Sequence, residues 1–256
     1  MYDPSVVATD GASLTLDNHG SRTTVDLYSQ PGLELVAALW LKLSAQYRLM
    51  YEPNWLGVPV IQLPSDIIAM QELIWRLRPD FIVECGFAHG GSAVLYSSLC
   101  QLAGKGSVIS VDIDIRRHNR IAVETHPFGR RIRMIEGDSA DPATFEQARR
   151  AVTGGGTVMV ALDSCHDSDH VLRELDLYHQ LVTPGSYLVV MDGAQAHVWD
   201  IPRAKPGWKD SNPLLAIDRF LASHPEFEID EHFTRHQVTC CPRGFLRRRS
   251  FEQPGV

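Results

Sequence analysis

What the chain lacks narrows its chemistry first. Its five cysteines, at 85, 100, 165, 240 and 241, form no C-x-x-C pair and no even framework, so neither a zinc ribbon nor a disulfide scaffold is expected. Cys240 and Cys241 are adjacent, a poor geometry for bridging each other, and free thiols suit a reducing, cytoplasmic compartment. No apolar run approaches the ~18 residues of a membrane span, and the opening MYDPSVVATDG has neither a basic start nor an apolar stretch of signal-peptide type. Positive charge is scarce as well. With a net charge of −7 and one dense basic run, Arg247 to Arg249, a nucleic-acid partner is excluded on electrostatic grounds. No internal repeat, low-complexity tract or G-x-G-x-x-G fingerprint is present.

What is there is enough apolar material for one substantial core, 44% of 256 residues. Residues 1 to about 30 read as an irregular or short-stranded arm. Apolar residues at helical spacing then predict a helix over Leu33 to Met50, and Ser65-Asp66 predicts the cap of a second helix running through Trp75. From Phe81 the pattern becomes strand, turn, helix, repeated: FIVECG, SVISVD, IRMIEG, TVMVALD and YLVVMD, separated by helical stretches near 91–103, 116–124, 142–152 and 168–182. Strands apolar on both faces and joined by helices imply an α/β fold, a Rossmann-like doubly wound and mostly parallel sheet. A long irregular stretch over 193–213, a helix through Leu221 and strands at 227–229 and 238–246 would complete it. The change of pattern divides the chain into an N-terminal arm and helix, 1–60, and a sheet-bearing domain, 61–256.

Ligands of such sheets bind at the carboxyl ends of the strands, and Glu84, Asp112, Asp138, Asp163 and Asp192 fall there. The first strand end, VECGFAHGGSA, is a nucleotide-type turn in which Gly86 and Gly90 let backbone approach a ligand, with His89 and Ser92 beside them. A carboxylate would be unhelpful to a pyrophosphate, whereas Glu84 suits the cationic sulfonium and ammonium of S-adenosylmethionine. Asp112, twenty-six positions beyond Gly86, stands where a carboxylate accepts from ribose hydroxyls, with Asp114 as its competitor, and Asp138 or Ser139 could meet an adenine edge.

ALDSCHDSDH, 161–170, admits two readings. In one, Asp163 and Asp192 lie side by side, hold a hard divalent cation such as Mg²⁺, and His166 is a general base for a hydroxyl. In the other, Asp163 and Asp167 cap the following helix and His166 is an ordinary surface histidine. The residues alone leave both open. Cys165 reads as packing between strand and helix, and His170 as structural.

The ordered blocks NWLGVPVIQLPSD, QELIWRLRPDFIVECGFAHGGSA, VDIDIRRHNR, ETHP with IRMIEGDS, LDSCHDSDHVLREL, LVTPGSYLVVMD, PGWKDSNP and GFLRR resemble the family of cephalosporin hydroxylase and rhamnosyl O-methyltransferase over about residues 51–248. The resemblance implies a class I S-adenosylmethionine-dependent O-methyltransferase that needs a divalent metal and acts on hydroxyls of sugars on natural products or surface glycans. It implies Glu84 and Gly86 at the cofactor loop, Asp112 at the ribose, Asp163 and Asp192 as metal ligands, and His166 as base. Two departures stand out: Met191 occupies a position where the family has glutamate, leaving Asp167 or water to complete the metal site, and Ser168 replaces a frequent histidine. A small-molecule or glycan acceptor and a homo-oligomer are expected. Three alternatives remain at this point: a nicotinamide-dependent oxidoreductase, a non-catalytic or metal-independent cofactor-binding relative, and an iron oxygenase using His166, His170 and Asp163.

Overall fold

The structure is a computed structural model that describes residues 5–9, 11–18 and 21–250. Of the two forms expected for the N-terminal arm, the short-stranded one is found. Strands β1 (Ser5–Thr9), β2 (Ser13–Asn18) and β3 (Ser21–Asp26) form an antiparallel sheet of their own. Helix α1 (Gln30–Tyr47) follows, opened by the Ser29 hydroxyl accepting from the Gly32 amide and closed by Arg48 in the left-handed conformation, φ 57°. That left-handed residue stops the helix short of the expected Met50. A two-strand clip, β4 (Asn54–Trp55) and β5 (Val58–Pro59), leads to helix α2 (Pro64–Leu77).

The main sheet has seven strands: β6 (Phe81–Cys85), β7 (Ser107–Asp112), β8 (Ile132–Glu136), β9 (Val158–Leu162), β10 (Tyr187–Val190), β11 (Phe227–Ile229) and β12 (Phe245–Arg248). Their order is β11-β12-β10-β9-β6-β7-β8. The pairs from β10 through β8 are parallel, and β12 alone runs against both of its neighbours. Helices α3 (Gly91–Leu102), α4 (Arg117–Glu124), α5 (Pro142–Ala151), α6 (Ser168–Tyr178) and α7 (Pro213–Ser223) make the connections. Alternation along the strands builds two cores. Ile82, Val108, Met159 and Val189 pack with α2 and α3 on one face, and Val83, Ile109, Val160 and Leu188 pack with α5, α6 and α7 on the other. Leu41 of α1 and Val58 of β5 belong to the first of these cores. The doubly wound expectation holds.

Two local expectations fail for one shared reason. The cap of α2 is Leu63 with Pro64 at the first helical position, and it uses no side chain. Asp66 instead faces inward, accepting hydrogen bonds from the Thr239 hydroxyl and from the Cys240 amide at 2.8 Å, while the Ser65 hydroxyl donates to the Val238 carbonyl. Burial pushes the Asp66 carboxyl up to about 6, against those two donors. The segment held this way is a turn. Arg243 is left-handed, φ 56°, and a Cβ on Gly244 would lie 2.2 Å from the Val190 carbonyl oxygen, so extended backbone begins only at Phe245.

The strand order reverses between β6 and its neighbours β7 and β9, which opens a crevice over the carboxyl end of β6.

Candidate active site

The turn after β6 is drawn tightly onto the end of β9. Asp163 donates its amide to the Cys85 carbonyl at 2.7 Å, and a Cβ on Gly86, φ 105°, would come within 2.0 Å of the Asp163 carbonyl oxygen. Only glycine fits there. Where a dinucleotide fingerprint would have its middle glycine, Ala88 takes φ 45°, a conformation costly for a residue with a Cβ. Asp112 holds this turn open: its carboxylate accepts from the amides of Phe87 at 2.7 Å, Ala88 at 3.1 Å and Asp114 at 3.1 Å. Asp114 caps nothing, since the cap of α4 is Arg116.

Glu84 lies beneath the turn, 1% exposed. One carboxyl oxygen accepts from the Ser110 hydroxyl at 2.6 Å and the other has no partner. Burial pushes the group up to about 7, offset only in part by the Ser110 hydrogen bond and the nearby Ser92 hydroxyl. Above it the crevice has two arms. One is lined by Gly86, Ala88, Asp112, Asp138, Ser139 and Asp163, and the other by His89, Gly91, Ser92, Asp163, His166 and Asp192. Gly90, left-handed at φ 83°, caps α3, whose first turn faces the second arm. Of the residues assigned to the cofactor from sequence, Gly86, His89, Ser92, Asp112, Asp138, Ser139 and Asp163 line this crevice, Gly90 sits behind it at the cap of α3, and Glu84 lies below its floor. An orphaned buried oxygen, a glycine cradle and a row of carboxylates suited to ribose and to a cationic amino-acid end fit S-adenosylmethionine.

At the junction of the arms Asp163, His166 and Asp192 converge, each offering a ligand atom within 4.8 Å of the others. Asp192 sits in left-handed backbone, φ 55°, which turns its carboxylate back over β9. His166 Nδ1 lies 2.9 Å from Asp192 and 2.7 Å from the Gln195 amide, and Nε2 lies 3.8 Å from Asp163. The tautomer with hydrogen on Nδ1 donates to Asp192, leaving Nε2 for proton exchange. Burial, with Asp192 as a close like charge, pushes Asp163 well above the usual carboxylate range; Asp192 is held below it, because His166 outweighs the cost of burial. Two crowded carboxyls with one imidazole between them suit a divalent cation, and Mg²⁺ commonly takes one or two carboxylates and completes its shell with water. The site fits.

Asp163 is not a cap of α6, whereas the reading of Asp167 as a cap holds. Asp167 is the cap of α6, accepting from the amides of Asp169 and His170, and it also binds the Ser211 hydroxyl at 2.6 Å. It lies outside the cluster formed by Asp163, His166 and Asp192. Met191 does not stand in either: it is buried, with its sulfur 3.0 Å from the Cys241 thiol in the core. Ser168 pins the loop after β10 through Ser211, whose hydroxyl lies 2.9 Å from the Ser168 amide. Cys165, expected to pack, is exposed at the rim of the crevice.

His170 joins a hydrogen-bonded network, in keeping with its structural reading, while Glu174 and Gln62 escaped sequence reasoning. His170 Nε2 is 3.3 Å from both Ser139 and Ser164, and Glu174, fully buried, accepts from Ser164 at 2.6 Å. This network braces the nucleoside arm from below. The signal available was the i, i+4 spacing of His170 and Glu174. Gln62, buried with an unpartnered carbonyl oxygen, lines the other arm, and nothing local marked it.

The profile of the Rhamnosyl O-methyltransferase/CmcI family matches residues 47–249. The chain belongs to this family. Rhamnosyl O-methyltransferase of Mycobacterium tuberculosis is 31% identical over 202 residues, covering 76% of this chain and 78% of that protein. The Mycobacterium leprae protein of the same name is 31% identical over 200 residues, covering 77% and 83%. A solved structure of CmcI with Mg and SAM superposes with a TM-score of 0.57 at 21% identity, covering 78% of each chain, and shares the fold. With that family, this member is an O-methyltransferase. The oxidoreductase and oxygenase alternatives fall away. Among the described residues no helix is long and apolar enough to cross a membrane.

Proposed function

We propose that the enzyme methylates a hydroxyl of a sugar or glycosylated natural product, with His166 as general base and a divalent cation on Asp163 and Asp192. The observation that carries this reading is the convergence of those three side chains within 4.8 Å, where the cofactor crevice meets a second cavity behind Gln195. The sugar acceptor is supported by the rhamnosyl relatives. S-adenosylmethionine supplies a methyl on a sulfonium, already a good electrophile, so positioning does most of the work. A divalent cation supplies a Lewis acid that lowers the pKa of an acceptor hydroxyl.

The chain's own residues do the rest. Glu84, Gly86, His89, Gly90, Ser92, Asp112, Asp138, Ser139 and Asp163 cradle the cofactor. Asp192 fixes the tautomer of His166, and Nε2 takes the hydroxyl proton. The Gln195 side-chain amide borders Nδ1, and with hydrogen on that nitrogen it turns its oxygen rather than its NH₂ toward the ring. Losing a carboxylate at position 191 lowers cation affinity without touching the base, so the reading stays catalytic. A homo-oligomer belongs to the same proposal: Leu33, Val36, Trp40, Leu43 and Tyr47 leave an exposed apolar stripe along α1 at i, i+3/i+4 spacing. Five free thiols fit a cytoplasmic setting.

Calorimetric titration of Mg²⁺ tests the metal. Wild type is expected to show saturable binding that Asp163→Ala abolishes. Absence of binding to wild type would retire the cation while leaving the methyltransferase.

A further inference from the structure

The cavity on the acceptor side gathers three cationic side chains on its wall. It opens beside His166 and Asp192, between the C-terminal end of α1 and the loop after β10. Arg48, Arg203 and Lys205 line it, together with Met50, Val198 and Trp208. In a chain of net charge −7, three cations at one mouth are a local concentration. Among the described residues none of the three is paired with a carboxylate, whereas Lys42, close by on α1, is bound to Asp200. The arrangement is also anchored. Arg203 donates its backbone amide to the Gln46 side chain at 3.1 Å and its Nε to the Gln46 carbonyl at 3.0 Å, which docks the loop onto α1. Its terminal guanidinium nitrogens have no protein partner among the described residues. Arg48 lies over the Tyr51 ring, 5.6 Å from its centre, and Lys205 has no side-chain partner among those residues.

We propose that the acceptor is anionic: its reacting hydroxyl sits at His166, an apolar part rests on Met50, Val198 and Trp208, and a carboxylate or phosphate of the same molecule is held by Arg48, Arg203 and Lys205. The inference rests on the methyltransferase reading above. Guanidinium groups bind carboxylate and phosphate through paired, charge-assisted hydrogen bonds. Cations gathered on one wall of a cleft, away from the Asp192 end, also concentrate an oppositely charged group there. A neutral acceptor would leave three cations crowded and uncompensated, so the same residues select against it.

Three matched probes test this: para-nitrophenyl glucoside, the corresponding glucuronide, and the glucoside phosphorylated on its primary hydroxyl. Binding is followed through quenching of tryptophan fluorescence with S-adenosylhomocysteine and Mg²⁺ present. At least one anionic probe is expected to bind roughly tenfold or more tightly than the glucoside, the scale of one hydrogen bond to a charged group. That advantage falls with added salt. It disappears in the double variant Arg48→Gln, Lys205→Gln and survives in Arg48→Lys, Lys205→Arg. Which anion is preferred names the group. Equal binding of all three probes, no binding of either anion up to its solubility limit, or a preference that survives in the glutamine variant would overturn the inference. S-adenosylhomocysteine binding is measured on the same samples. Its loss in wild type would overturn the methyltransferase reading itself, whereas normal binding without anion preference overturns only the anionic acceptor.

Discussion

Replacing His166 with alanine is expected to lower turnover by about 10²–10⁴-fold, the range for removing a general base, while S-adenosylmethionine affinity stays unchanged. The expectation rests on position: Nδ1 is committed to Asp192 at 2.9 Å, and Nε2 faces the space beside Asp163. Burial alone would lower the imidazole pKa, but the Asp192 and Asp163 carboxylates overcome it and push the group up to about 9. An imidazole in that state holds its proton at neutral pH and gains base character as pH rises. A cation shared by the two carboxylates weakens their hold on the ring, so the rising limb of the rate profile should move to lower pH as Mg²⁺ is raised. Steady-state turnover with the methyl donor saturating, set beside calorimetric affinity for S-adenosylhomocysteine, separates chemistry from binding. Unchanged turnover would remove His166 from the base role.

Replacing Glu84 with glutamine is expected to weaken S-adenosylmethionine binding by roughly 10–100-fold, the equivalent of losing one hydrogen bond to a charged group, about 1.5–3 kcal/mol. Its unpartnered carboxyl oxygen lies under the cofactor turn, and burial pushes its pKa up to about 7. The cationic donor binds the ionised form, so wild-type affinity should rise between about pH 6 and pH 8, and the glutamine variant should be flat across that window. The same shift acts on folding with a definite sign. The folded value lies above the ordinary glutamate value of 4.5, so the native state binds the proton more tightly, and stability present at low pH is lost as pH rises through about 7. Bound donor should restore it. Calorimetry at three pH values and thermal melts of the same samples check both. A flat wild-type profile with normal affinity in the variant would remove Glu84 from the cofactor site.

The sheet was legible because its strands are apolar on both faces and each ends in a polar residue; that pattern has few other solutions. Asp163 and Asp192 were legible as a pair because consecutive strands of a parallel sheet usually neighbour each other, as β9 and β10 do. Long-range partners were not legible. Asp66 looks like a helix cap to any local argument, and only the return of the chain at Thr239 and Cys240, more than 170 positions later, turns it inward. Asp167 could be assigned to the metal until Ser211, 44 positions on, was seen to hold it. Gln195 and the cationic mouth formed by Arg48, Arg203 and Lys205 depend on how the loop after β10 docks on α1, which no periodicity encodes.

The central claim is that the crevice over Gly86 holds S-adenosylmethionine next to His166. Calorimetric titration of wild-type protein with S-adenosylmethionine, and in parallel with NAD, tests it most directly. The account predicts one saturable site for S-adenosylmethionine and none for NAD. Failure to bind S-adenosylmethionine, or preferential binding of NAD, would contradict it.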